Sequence, residues 1–212
     1  MKNRFFKMGI IALTASLAAI SPAAAAETGK GFFIGVNAGG GPVASAGQSW
    51  RAGLEAGYRI AAHLAVAVDV SFGGLTLENS SSSGSYQAKD SQKWTTNPVT
   101  LAVLYAEPLG ERTVVYLGAG LGWHGFTRTL TSETNASGTP QTTSQKSTFR
   151  ATAPQIVLGL EFGLFKFVSL TGTLKYGFGT ASRKDRVSSL NTAQDINFGG
   201  ASLVVGLRVR PF

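Results

Sequence analysis

From Trp50 to Ile60 every second residue is apolar: Trp50, Ala52, Leu54, Ala56, Tyr58 and Ile60. Between them stand Arg51, Gly53, Glu55, Gly57 and Arg59. A period of two marks a strand with two unlike faces. Seven other segments repeat it, beginning near Phe32, Leu64, Val99, Val115, Ile156, Val168 and Leu203. In the segment from Leu64 the apolar phase slips at Gly73-Gly74, so Leu75 and Leu77 rejoin the apolar face if a glycine bulge intervenes. Eight such segments in 212 residues predict a single all-β domain. After the first residues, no stretch offers the ~20 unbroken apolar residues of a membrane helix.

The links between segments alternate in length. "AAH", "AEPLGER" and the region of "FKF" are short turns. "ENSSSSGSYQAKDSQK", "RTLTSETNASGTPQTTSQKS" and "ASRKDRVSSLNTAQD" are long, polar and rich in Ser and Thr, and read as solvated, mobile loops. Short turns on one side and long loops on the other are the pattern of a β-barrel in an outer membrane.

Alternation alone does not say which face is wet, since a soluble barrel alternates too. Glycine decides it. Gly53, Gly57, Gly118, Gly120, Gly122, Gly159, Gly163, Gly177 and Gly179 crowd the polar face. A water-exposed strand gains nothing from glycine, which weakens strands. The narrow interior of an eight-stranded barrel, nearly filled by side chains, does need it. The charges on that face carry both signs: Arg51, Glu55, Arg59, Asp69, Glu161, Lys175, Arg208 and Arg210. Enclosed in a lumen they must pair, so an internal ion-pair network is expected, with partners unassigned. Trp50, Phe72, Trp94, Trp123 and Phe178 fall near the long-loop ends of the segments. Tyr58, Tyr105 and Phe162 fall near the short-turn ends, and Tyr176 joins this aromatic set. Two aromatic girdles at the two bilayer interfaces are the expectation.

The N-terminus reads as a cleaved secretory signal. Lys2, Arg4 and Lys7 precede the short apolar run "IIALTASLAAI" and small residues ending at Ala26. Residues 1–26 are therefore expected to be a signal peptide and residues 27–212 the barrel domain, with 16 basic and 11 acidic residues. There is no cysteine, which excludes disulfides and thiolate chemistry.

"GFFIGVNAGGG" resembles the opening strand of the OmpA-like and OmpX-like small outer-membrane β-barrels, and the strand pattern of the whole mature chain is similar to theirs. The resemblance implies an eight-stranded antiparallel up-and-down transmembrane β-barrel in the cell outer membrane of a Gram-negative bacterium. It implies contact with outer-membrane lipid and lipopolysaccharide, and with the barrel-assembly machinery during biogenesis. A monomer is expected, with host or surface ligands reached through the loops. It also makes Phe212 a C-terminal insertion signal. Here that signal departs from the family pattern, because Pro211 precedes it and Phe212 falls out of phase with Leu203, Val205, Leu207 and Val209.

Little in the sequence points to catalysis. His124 is the one plausible base, on the polar face near the outer end of its strand, but its neighbours are Trp123 and Gly125 and no nucleophile stands in step with it. His63 lies in a short turn. Arg183, Lys184 and Arg186 form a basic cluster suited to lipopolysaccharide phosphates or simply to water. No nucleic-acid motif, metal-ligand cluster or phosphate loop is visible, and no cofactor is expected. The sequence thus predicts a non-enzymatic structural or surface-interaction protein with a side-chain-plugged lumen. A narrow channel for small solutes and a lipid A-modifying enzyme stand as alternatives.

Overall fold

In the computed structural model, residues 30–43, 47–83, 86–136, 139–183, 196–197 and 199–210 are described. Residues 1–26, expected from sequence to be a signal peptide, Lys184 to Arg186 of the basic cluster, and Pro211 and Phe212 lie outside them. The strands are β1 Gly31–Val43, β2 Gly47–Ala61, β3 Leu64–Ser83, β4 Tyr86–Pro108, β5 Thr113–Ala136, β6 Thr139–Phe165, β7 Val168–Gly177, β8 Thr180–Arg183, β9 Ile196–Asn197 and β10 Gly200–Val209. β8 keeps the register of β7 along β6, and β9 against β8 keeps that of β10 against β7. β7–β8 and β9–β10 are therefore two interrupted staves. With β1 to β6 they make eight.

Each stave pairs antiparallel with the next, and β10 pairs with β1, from Ile34↔Val209 to Gly40↔Leu203, to close the ring. Closure gives every stave of the ring a paired neighbour on both sides, as a bilayer demands. The staves are staggered. Arg59, Ala65, Leu104, Gly118, Val157, Lys175 and Ser202 are successive partners from β2 round to β10. Arg59 faces Gly31 of β1, whereas Ser202 lies beside Leu203, whose β1 partner is Gly40. This offset tilts the staves, a geometric requirement of closing a barrel.

The two faces sort as the alternation demands. Leu54 is 62% exposed and Arg208 2% exposed. Exposed apolar side chains ring the outside of all eight staves, and the buried charges lie inside. Burial of this kind is inverted relative to a water-soluble protein, where an exposed apolar surface of this extent would be an aggregation site.

Two local expectations are corrected. The pairing of β3 with both β2 and β4 runs through Gly73 and Gly74 without a shift, so there is no bulge there. Register irregularities lie instead beside the short turns, at Arg59/Ala61 and Gly163/Phe165. With phase preserved, Leu75 turns inward and packs against Trp94, Phe126, Phe149 and Ala153. Secondly, two of the long polar links are not loops. β3 and β4 remain paired up to Ser83↔Tyr86, and β5 and β6 up to Ala136↔Thr139. Their Ser and Thr residues pair well as strands, and apolar alternation stops because these parts face water on both sides.

The barrel rim is consequently uneven. β3 to β6 have 20, 23, 24 and 27 residues. β1 and β2 have 13 and 15, and the interrupted staves β7–β8 and β9–β10 run over residues 168–183 and 196–209. A bilayer crossing takes ~9–11 residues, so the four long staves stand as a sheet projecting on the order of 20–30 Å beyond it.

Candidate functional site: the lumen

Seen from the short-turn end, the first layer of the lumen is an ion-pair cluster. Arg208 on β10 spans it. Its Nη1 donates to Glu161 Oε2 at 2.6 Å and to the Tyr116 hydroxyl at 2.8 Å. Its Nη2 donates to both oxygens of Glu55, at 2.8 and 2.9 Å. Glu161 also accepts from Ser169 at 2.6 Å, from the Tyr116 hydroxyl, and from Arg210, which reaches the same phenol at 3.0 Å. Arg59 stands at the margin, 3.5 Å from that hydroxyl. Buried charges are tolerable only when paired and hydrogen-bonded, and Glu161 meets this condition on both oxygens.

Glycine positions this layer. A Cβ on Gly57 would collide with the Phe33 ring. With no Cβ there, Phe33 lies inward and the Arg208 guanidinium sits over its face, 4.2 Å from the ring centroid, a favourable cation–π arrangement. The phenol of Tyr116 lies under the same guanidinium at 5.1 Å.

Midway up, Lys175 Nζ meets Asp69 Oδ1 at 3.0 Å. Asp69 also accepts from Ser71 at 2.6 Å and from Asn37 at 2.7 Å. Two small cavities flank this pair. One of about 20 Å³ lies toward Glu55, Tyr116 and Arg208. The other, about 30 Å³, lies toward Arg51, His124 and Gln155. Asp69, Thr100 and Lys175 line both. Each has room for one or two waters.

Around the larger cavity, Thr100 donates to Gln155 Oε1 at 3.2 Å, so the Gln155 amide faces His124 Nε2, 2.8 Å away. That assignment makes the imidazole nitrogen an acceptor. The other face of His124 stacks on Phe126 at 5.9 Å. Higher still, Trp94, Phe126, Phe149 and Ala153 form a buried apolar cluster, with Arg128 placed over Trp94 and Phe149 at 5.6 and 5.8 Å.

The eight charged residues singled out from sequence all point inward, but they do not form one network. Glu55, Glu161, Arg208 and Arg210 come together, with Arg59 beside them. Asp69 and Lys175 form a separate pair, and Arg51 stands apart from both. Tyr116, Ser169, Asn37 and Gln155 complete these layers and were missed. Tyr116 had a signal: it shares the parity of Gly118 and Gly120 on β5.

Of the aromatic set, Trp50, Tyr58, Phe72, Tyr105, Trp123, Phe162, Tyr176 and Phe178 face outward. Trp94 does not. It is 2% exposed and belongs to the lumen. The reason is parity: β4 presents Val99, Leu101, Val103 and Tyr105 outward, so Trp94, an odd number of residues away, must turn in. Outward aromatics meet in pairs, Trp50 with Phe72 at 5.7 Å and Tyr176 with Phe178 at 4.7 Å. Phe32, which packs on Tyr58 at 4.8 Å, extends the set. His63 stacks on Tyr105 in its turn. Among the described residues no group of three or more His, Asp or Glu side chains is placed to hold a metal ion.

Comparison with known proteins places this architecture. The family model described as outer membrane protein beta-barrel domain matches residues 10–208. No curated protein matches the sequence. The crystal structure of neisserial surface protein A is similar, with a TM-score of 0.51 and 19% identity over 86% of this chain and 99% of that one. That of the outer membrane protein OprG from Pseudomonas aeruginosa gives 0.52 and 15% over 90% and 98%. At such identities these likenesses bear on the fold alone, and the family match carries the assignment. The chain belongs to the outer membrane protein beta-barrel domain family, and the outer membrane is where it resides.

Proposed function

We propose that the protein is a non-conducting structural and surface-interaction barrel, whose plugged lumen supports a polar wall displayed outside the cell. The observation that carries this reading is the filled interior. The two cavities are about 30 and 20 Å³ and are divided by the Lys175–Asp69 pair, and the Arg208 cluster lies beyond the second. A hydrated ion or solute does not fit such spaces. In planar bilayers the expected result is no steady open level under applied voltage. A stable conducting state would overturn the reading.

The wall supports the second half of the proposal. Short turns lie on the periplasmic side of outer-membrane barrels, which puts the tall β3–β6 sheet outside. Near its top, Ser80, Gln87, Lys89, Glu133 and Asn135 line a concavity of about 470 Å³. This polar surface suits lipopolysaccharide or ligands of other cells, while the apolar girdle holds lipid and the protein acts as a monomer. In this reading the eight lumen charges are plug, the outward aromatics are anchors, and Phe212 is the insertion signal.

A narrow channel is the alternative favoured by one feature: the two cavities meet at a single ion pair, so parting Lys175 from Asp69 would join them. An enzymatic role has less support. The partners of His124 described above are an amide and a phenyl ring, neither a nucleophile nor a carboxylate.

A further inference from the structure

We propose that the cavity between Arg51 and His124 is a binding site for one small monovalent anion of halide size, chloride being the natural occupant. Arg51 is 9% exposed and lines this cavity. Its Nη2 donates to the Pro42 carbonyl at 2.8 Å, but its Nε is buried with no partner. Among the described residues no carboxylate lies within ion-pairing distance of it. A buried guanidinium holding only one carbonyl is a costly arrangement in low dielectric.

The neighbouring groups do not offset that charge. Asp69 is the one carboxylate lining the cavity, and both its oxygens are committed to Lys175, Ser71 and Asn37. Lys175 and Asp69 cancel, leaving the cavity lining one positive charge in surplus. Gln155 Oε1 accepts from Thr100 and its amide is turned to His124 Nε2. Among the described residues, what the site lacks is a free acceptor with negative charge. The sequence prepares this position, because a Cβ on Gly41 would sit 2.8 Å from the guanidinium, so glycine there is what lets Arg51 fold inward.

The volume selects the ligand. A space of about 30 Å³ admits one or two water-sized species. It accepts a halide, the smallest class of monovalent anion. The contrast with the Arg208 layer is direct. There the Arg208 guanidinium has Glu55 and Glu161 as ion-pair partners, whereas Arg51 has none among the described residues.

The test uses the folded barrel in detergent, melted in sodium chloride and in sodium gluconate at matched ionic strength. Chloride at about ten times its Kd should raise Tm by about 3–5 °C over gluconate, saturably. Arg51→Gln should abolish the difference while folding normally. Equal Tm in the two salts, or a chloride effect that survives in Arg51→Gln, overturns the proposal. Should the variant fail to fold, wild-type crystals soaked in sodium bromide decide the matter by anomalous scattering. A peak within about 3.5 Å of Arg51 Nε is expected. Peaks confined to the outer surface would mean an adventitious ion only and would equally overturn it.

Discussion

The two halves of the lumen are closed by different chemistry. Toward the short turns, charges pair: Arg208 holds Glu55 and Glu161, Arg210 holds Glu161, and Tyr116 and Ser169 add hydrogen bonds. Toward the tall wall, closure is apolar and aromatic, with Trp94, Phe126, Phe149 and Leu75 under the Arg128 guanidinium. Polar atoms are short of partners there. The buried nitrogens Arg51 Nε, Trp94 Nε1 and Arg128 Nε, and the Thr96 hydroxyl oxygen, have no hydrogen bond. One half is thus a cluster of charges held by mutual ion pairs and hydrogen bonds, with only the Arg208 Nε left over. The other is a packing of shapes, tolerant of an unpaired donor where an outside species supplies the acceptor.

This difference makes the halves separable by mutation. Arg208→Met should have the largest effect, since it leaves Glu55 with no ion-pair partner among the described residues and Glu161 with Arg210 alone. The expected loss is about 3–5 kcal/mol, read by urea unfolding in lipid vesicles; a loss below 1 kcal/mol would show that the cluster is solvated. Trp94→Ala removes the largest ring of the upper cluster and should cost about 3 kcal/mol. The same change at Trp123 should cost clearly less, because lipid replaces the lost contact. Equal costs at the two positions would erase the distinction between lumen and lipid face. Gly57→Ala should cost about 1–3 kcal/mol by driving Phe33 from beneath Arg208 and pressing on the Val66 carbonyl, and Phe33→Ala in the same chain should relieve the ring clash only. His124→Ala is expected to be mildest, about 1 kcal/mol, from the unpaired Gln155 amide. Lipid A composition in cells carrying it should match the wild type. Altered lipid A would revive the enzymatic alternative.

How much of this was legible in sequence follows from what a period of two encodes. Parity fixes a face, and in the structure the eight charges lie on the inward face of their staves and eight of the nine aromatics on the outward one. Trp94 was misplaced by attending to its nearness to a strand end instead of its phase, and Leu75 by supposing a bulge that pairing does not contain. Parity says nothing of height. Which charges meet depends on the stagger that carries Arg59 and Ser202 to different levels of β1, a property of closure shared by all eight staves. That is why Arg208 finds Glu55 and Glu161 from distant parts of the chain while Arg51 finds neither. The projecting wall was hidden for another reason. Strands wet on both faces lose the alternation by which strands are recognised, and "ENSSSS" carries no more than the modest preference of Ser and Thr.

The central claim is that the apolar face meets lipid while the polar face is enclosed, and the three tryptophans test it directly. Single-tryptophan variants retaining Trp50, Trp94 or Trp123 can be reconstituted in vesicles of brominated phospholipid. Bromine should quench the fluorescence of Trp50 and Trp123 strongly and spare Trp94. Quenching of Trp94 as strong as that of the other two, or protection of Trp50 and Trp123, would contradict the account.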